Sequence, residues 1–277
     1  MRVAAPRSNT VESFYDLWQA AASPWQQPMP PSTVQITSGS GDPIFFVHWS
    51  TGNVRFIGRF ADGWRTGRPI VGLEAIGLES RLRPLLSVVE IAEHYLHEIR
   101  TIQPTGPYAL VGLCSGGQIV YEMARRLSAL GEDIEYLAVV NCIRPGVSFV
   151  PGWGLDELYK NRLTTLRKYF DITDPDTEST VLYEGAKERF WLNDSAELRD
   201  IYWLQLLWSA SLYAQEHYEA HPYEGPIEIF RSSSIRPPFK IPWDELASDA
   251  RTTVIEGSDS PSLLQHPTFA QSLSGLE

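Results

Sequence analysis

Short apolar runs alternate along the chain with longer segments whose apolar residues recur at helical spacing. Continuous apolar runs of four to eight residues are typical of strands buried on both faces of a sheet. PIFFVH has this character, and six further segments are predicted to be strands: STVQI, PIVGLEAIG, YALVG, EYLAVVN, PIEIFR and RTTVIEG. Residues 87–102 instead repeat apolar positions every three or four residues behind a capping Ser87, and this pattern predicts a helix.

Strands that alternate with helices predict an α/β fold, with a mostly parallel sheet covered by helices on both faces. Residues 146–223 interrupt the alternation with helix formers and bulky aromatic residues, so they are expected to form an inserted helical lid. Residues 1–33, which include a Pro-rich stretch, are expected to be an N-terminal appendage and linker. The predicted domain therefore covers residues 34–277.

Composition excludes several classes of function. The 277 residues carry a net charge of −11, which argues against nucleic-acid binding. No apolar run is long enough to span a membrane, and the N-terminus lacks a secretory signal pattern. The two cysteines, Cys114 and Cys142, suggest neither a disulfide framework nor a metal site, so no metal is expected and a cytoplasmic location fits best.

The segment from Gly112 to Gly116 carries the strongest chemical signal. A predicted strand runs into Gly-Leu-Cys-Ser-Gly and then directly into a predicted helix. This is the Gly-x-nucleophile-x-Gly pattern of a nucleophile elbow, with Cys114 in the central position. The helix N-terminus favours the thiolate, and the backbone N–H of Ser115 is placed to face an oxyanion.

The chain from Val34 onward resembles the thioesterases of nonribosomal peptide and polyketide assembly lines. The resemblance rests on the PIFFVH strand, the GPYALVGLCSGGQIVYEMARRL elbow and helix, the HPYEGPIEIFR segment and the WDEL…VIEGSD tail. It implies an α/β-hydrolase fold and a second oxyanion donor, the N–H of Ser50, in a His-Gly-x-x-Gly-like loop. Trp49 stands where the family typically has Gly.

Two other positions depart from the family's triad. Asn141 occupies the place of the acidic residue, and it can still orient a partner through its carbonyl oxygen. The turn after the last strand lacks the expected His. Asp259 or Ser260 takes that position, depending on the register, and His266 is a candidate for a relocated base. His217 and His221 are spaced like a metal pair, but no third ligand is evident.

These features predict an enzyme that accepts an acyl chain on Cys114 from the phosphopantetheine of an acyl or peptidyl carrier protein. No cofactor of its own is expected. Without a base for water, release by intramolecular cyclisation or transfer is favoured over hydrolysis, as in family members resembling Dieckmann cyclases. Two alternatives stay open: a non-catalytic descendant that binds acyl chains or carrier proteins, and a hydrolytic thioesterase with a relocated base. Candidate arginines for carrier docking are Arg65, Arg68, Arg81, Arg83, Arg125 and Arg126.

Overall fold

A computed structural model describes residues 13–23, 30–148, 150–257 and 260–276 of the chain. Seven strands form one sheet in the order β1-β3-β2-β4-β5-β6-β7. Strand β1 pairs antiparallel with β3, and every other neighbouring pair is parallel. The strands are β1 Thr33–Thr37, β2 Ile44–Val47, β3 Ile70–Leu73, β4 Tyr108–Leu113, β5 Ile134–Val140, β6 Tyr223–Ser232 and β7 Ala247–Ile255.

The sheet lies at the positions of the seven predicted strands, and the predicted α/β-hydrolase fold is confirmed. The helices are α1 Phe14–Ala20, α2 Gly58–Ala61, α3 Val88–Ile102, α4 Gly116–Ala129, α5 Leu155–Tyr169, α6 Glu178–Glu188, α7 Asp200–Glu216, α8 Ser260–Gln265 and α9 Pro267–Ser274. Helix α3 begins as predicted, because the Ser87 side chain accepts a hydrogen bond from the Glu90 N–H. Strand β3 is shorter than its apolar run: it ends at Leu73, and the carboxylate of the next residue, Glu74, pairs with Arg55.

Two apolar layers cover the sheet. Helices α3 and α4 pack on one face through residues such as Tyr95, Tyr121 and Leu127. The opposite face packs against the segment after β2 and against α8 and α9, with Trp64 and Phe269 in edge-to-face contact. Burial of both faces explains why the central strands are continuous apolar runs.

Helices α5, α6 and α7 lie between β5 and β6 and form a third apolar cluster, here called the helical insertion. Helix α1 packs on the insertion, since Leu17 and Ala21 belong to the same cluster and Phe14 contacts Tyr159. This part of the predicted appendage is therefore a packed helix. The predicted Pro-rich linker includes residues 24–29, which lie outside the described residues.

Candidate active site

Cys114 sits between the end of β4 and the start of α4 with a backbone φ of +52°. This left-handed conformation is uncommon for a residue with a side chain and marks the sharp turn of a nucleophile elbow. The turn is held from the neighbouring strand, because the Cys114 N–H donates to the Val140 carbonyl at 2.8 Å. The strand-turn-helix context predicted from the sequence is therefore present.

Close backbone contacts require the flanking glycines. A Cβ at Gly116 would lie 2.2 Å from the His48 carbonyl oxygen, and one at Gly112 would lie 2.4 Å from the Gly116 carbonyl oxygen. Both distances are far below van der Waals contact. Only glycine allows β2, β4 and α4 to meet this closely beneath Cys114.

The two cysteines have different surroundings. Cys114 is half-buried, and its Sγ lies 3.4 Å from the Ser50 hydroxyl oxygen. Cys142 is buried and donates its S–H to the Ile143 carbonyl, and burial raises the pKa of its thiol. Only Cys114 combines access to solvent with a polar neighbour, which is the environment of a reactive thiol.

Two backbone N–H groups near Cys114 are free to bind an oxyanion. Within the described part of the chain, neither the Ser50 N–H nor the Ser115 N–H donates a hydrogen bond. Ser115 directly follows the nucleophile, and Ser50 is placed beside it by the hydroxyl contact with Cys114. Free amides on either side of a nucleophile have the arrangement of an oxyanion hole.

His48 supports the loop that carries Ser50. Its Nδ1 lies 2.6 Å from the Trp49 carbonyl oxygen, which can only accept, so Nδ1 carries the hydrogen. Its Nε2 lies 2.9 Å from the Tyr95 hydroxyl. Burial lowers the pKa of His48 to about 4, so the ring is neutral at pH 7. These contacts make His48 a structural support.

Trp49 occupies the family's glycine position and joins an aromatic stack. Its ring lies 4.1 Å from that of Phe56, and Phe56 in turn stacks on Phe190 at 6.4 Å. Asn53 from the same loop donates to the Phe190 carbonyl at 3.1 Å. The substitution therefore gives the loop an apolar face against which the helical insertion packs.

Asn141 follows β5 at the end of the sheet where Cys114 also lies, in a left-handed conformation. Its carboxamide oxygen accepts a hydrogen bond from the Ser232 N–H at 2.9 Å, and its own N–H donates to the Phe230 carbonyl. The side chain thus joins the ends of β5 and β6. Whether it also orients a substrate stays a prediction.

The candidates after β7 are only partly described. Asp259 lies outside the described residues, and Ser260 is the first residue of α8. His266 caps α9, because its Nδ1 accepts from the Thr268 N–H at 3.2 Å. Among the described histidines, none hydrogen-bonds to Cys114, and the predicted role of His266 as a base stays untested.

Arg162 is a residue that the sequence analysis missed. It projects from α5 onto two indole rings, with its Cζ 4.2 Å from the Trp208 ring centroid and 5.1 Å from that of Trp191. Burial lowers its pKa to about 10, and its charge interaction with Cys114 opposes that decrease. Arg162, the two tryptophans and Cys114 come from four separate segments. No spacing in the sequence could therefore have revealed that they lie near one another.

A narrow apolar crevice opens beside Ser50. It is lined by His48, Ile76, Leu85 and, from helix α7 of the insertion, Leu207 and Ala210. The free volume is only about 30 Å³, roughly the space of one water molecule. A crevice of this volume is too small to hold an acyl chain.

Most arginines suggested for carrier docking already have partners. Arg68 pairs with Glu135, Arg81 with Asp200, and both Arg125 and Arg126 with Glu122. Arg83 donates to the Trp18 carbonyl, whereas Arg65 is exposed.

Within the described ranges, no cluster of three metal-ligating side chains occurs, and none of the helices is long and apolar enough to cross a membrane.

Residues 42–167 match the model of the thioesterase domain, a segment that includes the Ser50 loop, the elbow and Asn141. Over that segment, which is somewhat less than half of the chain, the sequence is similar to the thioesterase family. Atromentin synthetase of Tapinella panuoides is 34% identical over 104 residues, which are 38% of this chain and 11% of the relative. Polyketide synthase PksR of Bacillus subtilis is 32% identical over 112 residues, 40% of this chain and 4% of that synthase. The chain thus spans about a tenth or less of these relatives.

Solved structures share the fold of this chain. A four-domain nonribosomal peptide synthetase bound to AMP and glycine matches with a TM-score of 0.69 at 20% identity, over 91% of this chain and 20% of the synthetase. YbtT, a type II thioesterase of the yersiniabactin pathway, matches with a TM-score of 0.64 at 18% identity, over 87% of this chain and 96% of YbtT. At these identities the similarity establishes the fold alone.

Proposed function

We propose that this protein processes acyl thioesters in a natural-product pathway, with Cys114 as the residue that accepts the acyl chain. The observation that carries the proposal is the half-buried Cys114 at the strained elbow, flanked by the free amides of Ser50 and Ser115. The relatives are synthetases and a polyketide synthase, which supports a carrier-protein phosphopantetheine as the donor.

In the first step, the Cys114 thiolate attacks the thioester carbonyl and the amides of Ser50 and Ser115 stabilise the oxyanion. The phosphopantetheine thiolate then leaves and the acyl chain stays on Cys114. One thiolate replaces another of similar basicity, so this exchange needs little help from a general base. The Ser50 hydroxyl, 3.4 Å from Sγ, can donate a hydrogen bond to the thiolate before attack.

Release of the acyl chain is the step that distinguishes this site from a Ser-Asp-His hydrolase. Water needs a general base, and no described histidine hydrogen-bonds to Cys114. A nucleophile within the acyl chain has a high effective molarity and needs less activation. We therefore favour intramolecular cyclisation, or transfer to a second acceptor, over hydrolysis.

A non-catalytic acyl-binding protein is the second candidate. Its support is the hydrogen bond from the Ser232 N–H to the Asn141 carboxamide oxygen, which gives Asn141 a structural task between two strands. In that case the elbow would persist as part of the fold, and Cys114 would not be acylated by a thioester.

Incubation with a simple acyl N-acetylcysteamine thioester, followed by intact-protein mass spectrometry, separates the two candidates. We expect one acyl adduct, mapped to Cys114 by peptide analysis, and no adduct in Cys114→Ala. Cys114→Ser should react at least about 100-fold more slowly, because a hydroxyl needs an adjacent base. Recovery of unmodified wild-type protein, or equal acylation of Cys114→Ala, would overturn the proposed function.

A further inference from the structure

Arg162 lies in unusual surroundings for a cation. Its guanidinium is partly buried between the rings of Trp208 and Trp191, and its Nε donates to the Gln205 carboxamide oxygen at 3.1 Å. Withdrawal from water destabilises a positive charge unless an anion or several hydrogen bonds compensate it. Two aromatic faces and one amide provide only partial compensation.

No described carboxylate of the protein compensates the rest of the positive charge on Arg162. Among the described residues, no carboxylate lies within 4 Å of Arg162, and its two terminal nitrogens make no hydrogen bond. Arg189 offers a comparison in the same insertion, since it also stacks on two rings, those of Tyr169 and Phe170. Arg189, however, pairs with Glu188 and donates to the Gly185 carbonyl.

The guanidinium lies within range of a charge interaction with the nucleophile. The charge of Cys114 favours the protonated form of Arg162. Trp191, under the guanidinium, and Cys114 both pack against the apolar layer that contains Trp49 and Phe56. Arg162, stacked on Trp191, therefore borders the apolar layer on which Cys114 also packs.

We propose that Arg162, with Trp191 and Trp208, forms a binding site for an anionic group of the acyl chain, a carboxylate or the oxygen of an enolate. The two free terminal nitrogens present N–H groups in a planar fork, which matches the two oxygens of a carboxylate. The low polarity of the indole rings strengthens the interaction. This inference deepens the proposed function, because it assigns a charged acyl group to the substrate that Cys114 would accept.

Alkylation of Cys114 by iodoacetate and by iodoacetamide tests the site without a thioester. The reagents are of similar size but differ by one negative charge, and both react with the thiolate. Their rate ratio therefore cancels any change in the thiolate population. We expect the iodoacetate-to-iodoacetamide ratio for Cys114 to exceed that of a small neutral thiol at the same pH, and to fall roughly tenfold in Arg162→Gln.

Two variants complete the set. Arg162→Lys should keep most of the ratio, because it retains the charge. Arg189→Gln should leave the ratio unchanged, because Arg189 stacks on different rings and is paired. Equal ratios in wild type and Arg162→Gln would overturn the proposal. If Arg162→Gln did not fold, a wild-type ratio no higher than that of the neutral thiol would overturn it equally.

A second comparison tests the substrate class. Glutaryl N-acetylcysteamine thioester should acylate Cys114 faster than its methyl ester, and Arg162→Gln should remove that preference. If neither thioester reacts while the alkylation ratio behaves as expected, the proposed acyl transfer fails and the anion site stands. If both react at equal rates in wild type and variant, the acyl transfer stands and the anion site fails.

Discussion

A few contacts between backbone atoms determine the position of Cys114. Its φ of +52° is uncommon for a non-glycine residue, and the hydrogen bond to Val140 holds it there. Gly112 and Gly116 remove the side chains that would separate the strand, the turn and the helix. The elbow is therefore rigid because several independent backbone contacts fix it.

Gly116→Ala adds a single Cβ atom and tests whether close backbone contacts fix the elbow. The added Cβ would meet the His48 and Val47 carbonyl oxygens at 2.2 and 2.8 Å, neither of which can move without displacing β2. We expect a loss of about 1–3 kcal/mol in the free energy of unfolding, measured by urea denaturation, together with slower alkylation of Cys114.

Gly58→Ala is the matched control. The new Cβ there would make an ordinary 3.4 Å contact with Ile36, and its place in helix α2 favours alanine. We expect this variant to be as stable as the parent or slightly more stable. Equal destabilisation by the two substitutions would contradict the explanation from backbone contact.

The sequence predicts single residues well where one local pattern fixes them. Cys114 and its glycines lie within one turn, so their spacing revealed both the conformation and the chemistry. Arg162 could not be found in this way, because Trp191, Trp208 and Gln205 reach it from other segments of the insertion. The contact of the Ser50 hydroxyl with Sγ was missed for the same reason, since only its N–H follows from the motif.

At the scale of elements, the ends of β5, β6 and β7 are joined to one another, and the resemblance to the thioesterase family implies an acid after β5 and a base after β7. Asn141 joins β5 to the Ser232 N–H of β6. The Ser232 and Ser234 hydroxyls both donate to the Gly257 carbonyl after β7. Hydrogen bonds between main chain and small side chains thus connect these three strand ends.

Restoring a base in this region should change the fate of the acyl chain. We expect Asn141→Asp combined with Ser260→His, or with Asp259→His, to raise thioester hydrolysis by roughly 10²–10⁴-fold over the parent. The aspartate keeps the oxygen that accepts from Ser232, so the strand ends should stay joined. Free acid released from an acyl N-acetylcysteamine thioester, followed by mass spectrometry, measures the gain.

The single substitution Asn141→Asp is the control for this experiment, because it changes the charge without adding an imidazole. Only one of the two registers should succeed, since a base must come within about 3 Å of its proton donor. If neither pair of substitutions gave more free acid than Asn141→Asp alone, the lost histidine would not be what limits hydrolysis.

At the scale of the whole molecule, the order of strands was predictable and the packing of the insertion was not. The central strands are largely apolar, and the rules for parallel α/β connections leave few arrangements for them. No comparable rule applies to the helices of the insertion. Helix α7 is apolar nearly all around, so the sequence pattern does not indicate which of its faces packs against the sheet domain. Its position depends on contacts with distant residues, such as that of Asn53 with Phe190.

Contacts of the insertion also lie beside the site. Asn193 of the insertion hydrogen-bonds to the segment after β3: its side-chain amide donates to Glu79 at 2.7 Å and to Glu74 at 3.2 Å. Since the crevice by Ser50 has only about 30 Å³ of free volume, we expect the insertion to act as a lid that must open before an acyl chain enters.

Asn193→Ala should therefore favour large reagents over small ones at Cys114. Loss of its two hydrogen bonds weakens closure by about 1 kcal/mol, enough for a several-fold increase in the open population. We expect fluorescein maleimide to label Cys114 several-fold faster in this variant, with the iodoacetamide rate changed less than about twofold, because the small reagent needs less opening. Asn161→Ala, at an exposed position on α5, should match the parent with both reagents. A parallel rise with both reagents would indicate loosening of the whole fold, and no rise with either would mean that the insertion does not restrict access to Cys114.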